Sequence, residues 1–238
     1  MYDVAALGEL LIDFTPAGKS ESGNALFERN PGGGPPNVLA AVSRLGGECA
    51  FMGMVGDDAF GRFLKGVLEQ NAINSDGLKF TDKMNTTLAI VQLDEKGDRS
   101  FGFYGMPGPE THMRESDLEP ALISSAKIFH FSSLLLHDEA ARSVSLAAVR
   151  HAKHNGVLIS YDPNYRPPLW SSAQAAKEIL KIGLEYADIL KISETELELL
   201  TGECDPETGG RLLLEKGIRL VLVTLGPHGC FYLSSAGS

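Results

Sequence analysis

Cysteine is scarce in this 238-residue chain, and Cys49, Cys204 and Cys230 are far apart. An odd number at that spacing gives neither a disulfide framework nor a metal-ligand pair, and it fits a reducing compartment. Positive charge is also short. Lys and Arg total 21 against 31 Asp and Glu, for a net charge of −10. That balance argues against a general binder of nucleic-acid backbones. No apolar run approaches the length of a membrane span. The start, Met1-Tyr2-Asp3-Val4, has no basic segment ahead of a long apolar stretch, so no secretory signal is visible. The expected location is cytoplasmic, with no membrane and no nucleic-acid partner. Two nucleotide signatures are missing as well. The glycines near residue 32 are not followed by the Lys-Ser/Thr pair of a P-loop, and the Gly-x-Gly-x-x-Gly spacing is absent.

What is present is a hydrophobic fraction of 43% in a chain long enough for one large α/β domain. Its organising stretch is Asn30-Pro31-Gly32-Gly33-Gly34-Pro35-Pro36-Asn37, which opens into Val38–Gly47. This is a glycine turn leading into a helix. The prolines suit the entry, where amide donors have no partner, and Gly46 or Gly47 suits the stop. Val38, Ala41, Val42 and Leu45 fall at i, i+3, i+4 and i+7, which predicts that this face presses on a sheet. Free N–H groups in the first turn favour an oxygen-rich or anionic group, although a tight loop without a ligand has the same spelling.

Elsewhere apolar runs alternate with helical periodicities. Val4–Leu7 reads as a strand continued by Leu10–Ile12, with Asp13 at its far end. Residues 18–29 read as a polar excursion. Ala50–Val55 is a buried strand, and Phe60, Phe63, Leu64, Val67 and Leu68 mark a helix. Thr87–Leu93 and Ser100–Tyr104 read as a hairpin around a turn at 94–98. Further strands are expected at 128–131, 157–161, 187–192, 220–225 and 230–233. Helices are expected at 139–152, 173–184, 193–200 and 210–216. Repeated βα units mean a mostly parallel sheet covered on both faces.

Three stretches carry a family resemblance: Pro31–Gly47, Ser160-Tyr161-Asp162-Pro163-Asn164-Tyr165-Arg166-Pro167-Pro168-Leu169-Trp170 and Lys191-Ile192-Ser193-Glu194-Thr195-Glu196. With Gly53–Gly61 they resemble the PfkB, or ribokinase-like, carbohydrate kinases, and within them the fructokinases. The resemblance covers essentially the whole chain. It implies a three-layer α/β/α fold with a mostly parallel sheet and a small β-sheet lid, its segments within 14–30 and 86–106. It implies one domain over 1–238, incomplete at its C-terminal part. It also implies ATP and Mg2+ as cofactors, a small-molecule sugar as substrate, phosphorylation of fructose to fructose 6-phosphate, and a homodimer at full length.

By the same resemblance Asp13, Gly33 and Asn37 face the sugar, and Arg99, Phe103 and Tyr104 are lid residues that cover it. Asn164 and Arg166 lie near the sugar and the transferred phosphate, with Arg166 offsetting phosphoryl charge. A surface arginine beside a packed Trp170 is the bland alternative for Arg166. Lys191, Thr224, Gly226 and Gly229 match the nucleotide site, although Lys191 also reads as a solvated strand end and Gly226–Gly229 as an ordinary turn. Glu196 is expected to organise magnesium and its waters. Ser193 stands where ribokinase-like members commonly carry Asn, and Gly34-Pro35-Pro36 stands where fructokinases commonly carry Ala-Pro-Ala.

The family's second signature, Asp-Thr-x-Gly-Ala-Gly-Asp, is absent from these residues. Its last Asp is the base that activates the sugar hydroxyl. Asp13 and Asp162 are available acids, but neither is assigned that role. The chain is therefore expected to be a truncated, inactive piece of an active kinase, with the signature soon after residue 238. Rival readings are a 2-keto-3-deoxygluconate kinase, a ribokinase, a nucleoside or aminoimidazole riboside kinase, and a non-catalytic sugar-binding or regulatory protein on a kinase scaffold.

Overall fold

All eight residues of Cys49–Gly56 are buried. A strand with no polar face must lie inside a sheet covered on both sides. The computed structural model describes residues 1–93 and 99–234, without the side chains of residues 93 and 99–101. The turn expected at 94–98 lies outside the described residues.

In chain order the strands are β1 Tyr2–Leu7, β2 Leu11–Lys19, β3 Ala25–Gly32, β4 Cys49–Gly56, β5 Ile73–Thr81, β6 Leu88–Leu93, β7 Arg99–Tyr104, β8 Ala126–Ser132, β9 Leu158–Asp162, β10 Ile189–Ser193, β11 Leu220–Thr224 and β12 Cys230–Ser234. The helices are α1 Gly34–Arg44, α2 Ala59–Gln70, α3 Pro120–Ser124, α4 Glu139–His154, α5 Ala173–Leu184, α6 Glu194–Thr201 and α7 Pro206–Glu215. The large sheet has eight strands in the order β12-β11-β10-β9-β8-β1-β4-β5. Its pairings are parallel except β11–β12. A second sheet of four strands has the order β3-β2-β6-β7.

Local chemistry fixes the helix starts. Asp58, Asp138, Ser172, Ser193 and Asp205 each accept an amide hydrogen bond at the head of α2, α4, α5, α6 and α7. One core lies between the large sheet and α3–α7, built from Phe129, Phe131, Ile159, Tyr161, Leu180, Leu190, Leu197 and Leu213. Phe131 stacks on Tyr161 with ring centres 4.7 Å apart. A smaller core on the opposite face joins Ala6, Phe51, Val55 and Ile12 to Leu39 of α1 and to Leu64 and Leu68 of α2.

α1 and α2 cover only the β1, β4, β5 and β8 part of that second face. On β9, β10 and β11, burial alternates residue by residue. Ile159, Tyr161, Leu190, Ile192, Val221 and Val223 are sealed beneath α4–α7. Their neighbours Leu158, Ser160, Asp162, Ile189, Lys191, Ser193, Leu220, Leu222 and Thr224 are half-buried, and Tyr232 on β12 is 53% exposed. Among the described residues, no helix packs over this half-buried face of β9–β11.

Several expectations need correction. The Val38, Ala41, Val42, Leu45 face of α1 is not its buried one. Pro35, Pro36 and Leu39 are buried, Ala41 is exposed, and Leu45 is 89% exposed. The Gly33 turn rotates the helix so that Pro35, Pro36 and Leu39 meet the sheet, with Val42 packed only at the edge of that core. Leu10–Ile12 does not extend β1. The chain turns at Gly8–Leu10, and Leu11 starts β2 of the second sheet. Asp13 therefore sits within β2, opposite Asn30, rather than beyond a strand of the large sheet. Residues 18–29 are not a plain excursion, since they contain most of β3. β5, with the polar run Asn74-Ser75-Asp76, was not foreseen.

Candidate active site

β1 ends at Leu7, and the chain then crosses towards the second sheet. Glu9 lies at this crossing and is only 3% exposed. Its Oε1 accepts the Gly34 amide at 2.6 Å and its Oε2 accepts the Ser132 hydroxyl at 3.0 Å. A buried carboxylate needs such donors to offset lost solvation. Burial still raises its pKa, against the donors and the Arg166 charge. Gly33, which precedes α1, has φ +118°, and a Cβ there would stand 2.4 Å from the Glu9 carbonyl oxygen. At Gly34 a Cβ would stand 2.8 Å from Asn164 Nδ2. Glycine is required for this close approach. Pro36 loses nothing as the third helical residue, because an amide there has no intrahelical acceptor.

A cavity of about 530 Å³ opens beside this turn, at the carboxyl ends of the parallel strands. Asp13, Gly33, Asn37, Phe103, Asn164 and Arg166 line it together. These come from β2, the Gly33 turn, α1, β7 and the segment after β9. Thr15 and Val91 add to the wall supplied by the second sheet. Tyr104 points away and is 59% exposed. Arg99 lies in β7 opposite Leu93, and its side chain is outside the described residues.

Asn164 has φ +43°, a left-handed backbone that asparagine tolerates better than most residues. Its amide donates to Asp162 Oδ1 at 2.9 Å, which holds the bend. Burial raises the Asp13 pKa, with Arg166 opposing it. Burial also raises that of Asp162, opposed by Lys191, whose Nζ stands 3.3 Å from Asp162 Oδ2. Asp162 thus joins the cavity to the half-buried face of β9–β11.

Lys191, Glu196, Thr224, Gly226 and Gly229 do not line the cavity. They follow one another along the carboxyl ends of β10 and β11, where Ser193 is in register with Thr224. Glu196 Oε2 accepts the Ser193 amide at 2.7 Å and the Ser193 hydroxyl at 2.8 Å. Its Oε1 accepts the Tyr165 amide at 2.6 Å. This carboxylate is a helix cap that also ties down the segment leading to Arg166. Three of its acceptor positions are filled, which leaves room for a water contact but makes it a poor direct metal ligand. Among the described residues, no group of three His, Cys, Asp or Glu is placed to hold a metal ion. Glu9 and Ser132 escaped the sequence reading. An acid between two apolar runs carries no signal except the strand break it marks.

A profile described as pfkB family carbohydrate kinase matches residues 1–238. The chain belongs to the pfkB family. It is 45% identical over 233 residues to probable fructokinase-2 of Arabidopsis thaliana, covering 96% of this chain and 70% of that protein. It is 44% identical to the chloroplastic probable fructokinase-6 of the same plant, over 96% of this chain and 61% of that one. The chain thus spans well under three quarters of the length of these curated pfkB relatives. Among solved structures it resembles fructokinase from Xylella fastidiosa, with TM-score 0.87 and 33% identity over 99% of this chain and 76% of that one. It also resembles a fructokinase double mutant from Vibrio cholerae O395 in a fructose-, ADP- and potassium-bound form. There the TM-score is 0.86 with 33% identity, over 98% of this chain and 73% of that one. The ribokinase-like α/β/α fold read from the sequence is the fold observed.

Proposed function

We propose that this chain carries the sugar-binding part of an ATP-dependent fructokinase, which makes fructose 6-phosphate. The observation that carries this reading is the cavity under the second sheet, where short polar side chains and glycine backbone converge on a hydroxyl-sized set of positions. Such groups bind a polyol and penalise a ligand that leaves them unpaired. The lining acids Glu9, Asp13 and Asp162 accompany one guanidinium, that of Arg166. This balance favours a neutral sugar over a keto acid, whose carboxylate would meet carboxylates.

In this reading Asp13 and Asn37 accept and donate to sugar hydroxyls, and Phe103 on the second sheet closes over the ring. That sheet acts as a lid that excludes water as a competing acceptor. Arg166 offsets charge at the transferred group. Lys191, Thr224, Gly226 and Gly229 lie along the approach of the nucleotide phosphates, and Glu196 contacts the hydrated magnesium through water. Bound Mg-ATP supplies the phosphoryl group. Without the Asp-Thr-x-Gly-Ala-Gly-Asp sequence, no residue here is assigned as base, and the 238-residue polypeptide binds fructose without efficient turnover. Isothermal titration with fructose and with 2-keto-3-deoxygluconate, alongside a coupled assay for ADP, tests this. Saturable fructose binding without sugar-dependent ADP is expected. Preference for the keto acid would overturn the substrate, and sugar-dependent ADP would overturn the inactivity.

A further inference from the structure

Glu9 is the most buried charged side chain in the wall of the cavity, and three separate parts of the fold meet on it. Its backbone is the crossing from the large sheet to the second sheet. Its Oε1 holds the first amide of α1, at Gly34. Its Oε2 holds the hydroxyl of Ser132, at the carboxyl end of β8. Its own carbonyl sits beneath Gly33, and Asn164 Nδ2 and Glu9 Oε1 both crowd the position that a Cβ on Gly34 would take. We propose that Glu9 is the positioning residue of the sugar site, setting the Gly33–Gly34 turn, and through it Asn37, against Asn164. This rests on the sugar-kinase reading for its ligand but not for its geometry.

One carboxylate spans two donors on different elements, and a side chain that cannot reach Gly34 releases the turn. Glu9→Gln keeps the length and an acceptor for the Gly34 amide, while Ser132 turns its hydroxyl to accept from the new amide. Glu9→Asp keeps the charge but withdraws it by one methylene. Glu9→Ala removes both contacts.

The test reads two quantities on the purified chain: amide hydrogen exchange at Gly34 by NMR, and fructose affinity by titration. Exchange at Leu64 and Leu190, both fully buried, reports the fold. Glu9→Ala and Glu9→Asp are expected to speed Gly34 exchange and weaken fructose binding by about tenfold or more, with Glu9→Gln within about threefold of the parent in both. The proposal is overturned if Glu9→Asp matches the parent while Glu9→Gln loses binding, since charge would then be the cause. It is overturned equally if Gly34 exchanges freely in Glu9→Asp yet fructose binds as before. If Glu9→Ala does not fold, the Gln and Asp pair decides alone. If the parent binds no fructose, the sugar-kinase reading fails, and unchanged Gly34 exchange in Glu9→Asp would overturn the positioning claim separately.

Discussion

Replacing Gly33 by alanine isolates how tightly the turn before α1 is wedged. Gly33 has φ +118° and ψ 138°, a region in which a side chain is strained, and a Cβ would lie 2.4 Å from the Glu9 carbonyl oxygen. The backbone term is about 1–3 kcal/mol. The clash is with backbone, which cannot swing aside, and overpacking of that kind costs a further ~1–3 kcal/mol. Gly33→Ala is therefore expected to cost about 2–6 kcal/mol, or a fall in Tm on the order of 10 °C for a chain of this size. Gly217 supplies the control. Its φ is +98°, and nothing lies within 4 Å of its absent Cβ. Gly217→Ala should show the backbone term alone, about 1–2 kcal/mol. Thermal unfolding of both variants, with and without fructose, gives the difference. Equal losses in Tm would mean that Gly33 is not pressed on Glu9, and the account of the turn would fall.

Other substitutions test other parts of the structure. Asp13→Asn is expected to weaken fructose binding by about tenfold or more, the worth of a hydrogen bond to a charged group, while leaving Tm unchanged or higher because burial disfavours the Asp13 charge. Titration and thermal unfolding check the two halves. Burial, with help from Glu9, pushes the Glu110 carboxyl up to about 7, and its Oε1 has no hydrogen-bond partner among the described residues. The folded protein then keeps a proton that the unfolded chain releases near pH 4.5. Stability is expected to fall as pH rises from about 4.5 to 7, and Glu110→Gln should lessen the slope and be more stable at pH 8 by up to about 3 kcal/mol. Urea unfolding across that range checks the sign. Leu190→Ala should cost about 2–5 kcal/mol, whereas Leu222→Ala, on the half-buried face, should cost less than half as much. Equal urea midpoints would mean that the face is covered in solution.

The βα rhythm of residues 126–234 was legible because each apolar run is short, each helix is periodic, and capping residues stand where the two meet. Ser193 and Glu196 spell a capping box in sequence, and they form one. The second sheet was half legible. β6 and β7 alternate, but β3 is exposed along most of its length and contains Asn30 and Pro31, so no hydrophobic signal marks it. β5 was hidden for a related reason, since Asn74-Ser75-Asp76-Gly77 interrupts its apolar residues at the point where its register with β4 shifts. The face of α1 was misread because small apolar residues surround that helix on every side. Its rotation is set by Gly33 and Pro35, which periodicity does not weigh.

Asp162 shows why the site itself was only partly legible. In the sequence it opens the Asp-Pro-Asn segment and reads only as an available acid, with nothing to show what it touches. In the fold it accepts the Asn164 amide on the cavity side and pairs with Lys191 on the side of β10. Asn164 stands against Gly34, and Gly34 is held by Glu9. Close packing at Gly34 and polar contacts at Asp162 therefore link the Gly33–Gly34 turn to β10. A phosphoryl group moving from one to the other would pass beside Arg166, the cation of the cavity wall. The arrangement follows from the parallel sheet, which sets Ser132 in register with Asp162 and Ser193 in register with Thr224, pairs that stand 30 and 31 positions apart in the sequence. Sequence spacing carries no trace of that adjacency, and only strand order reveals it.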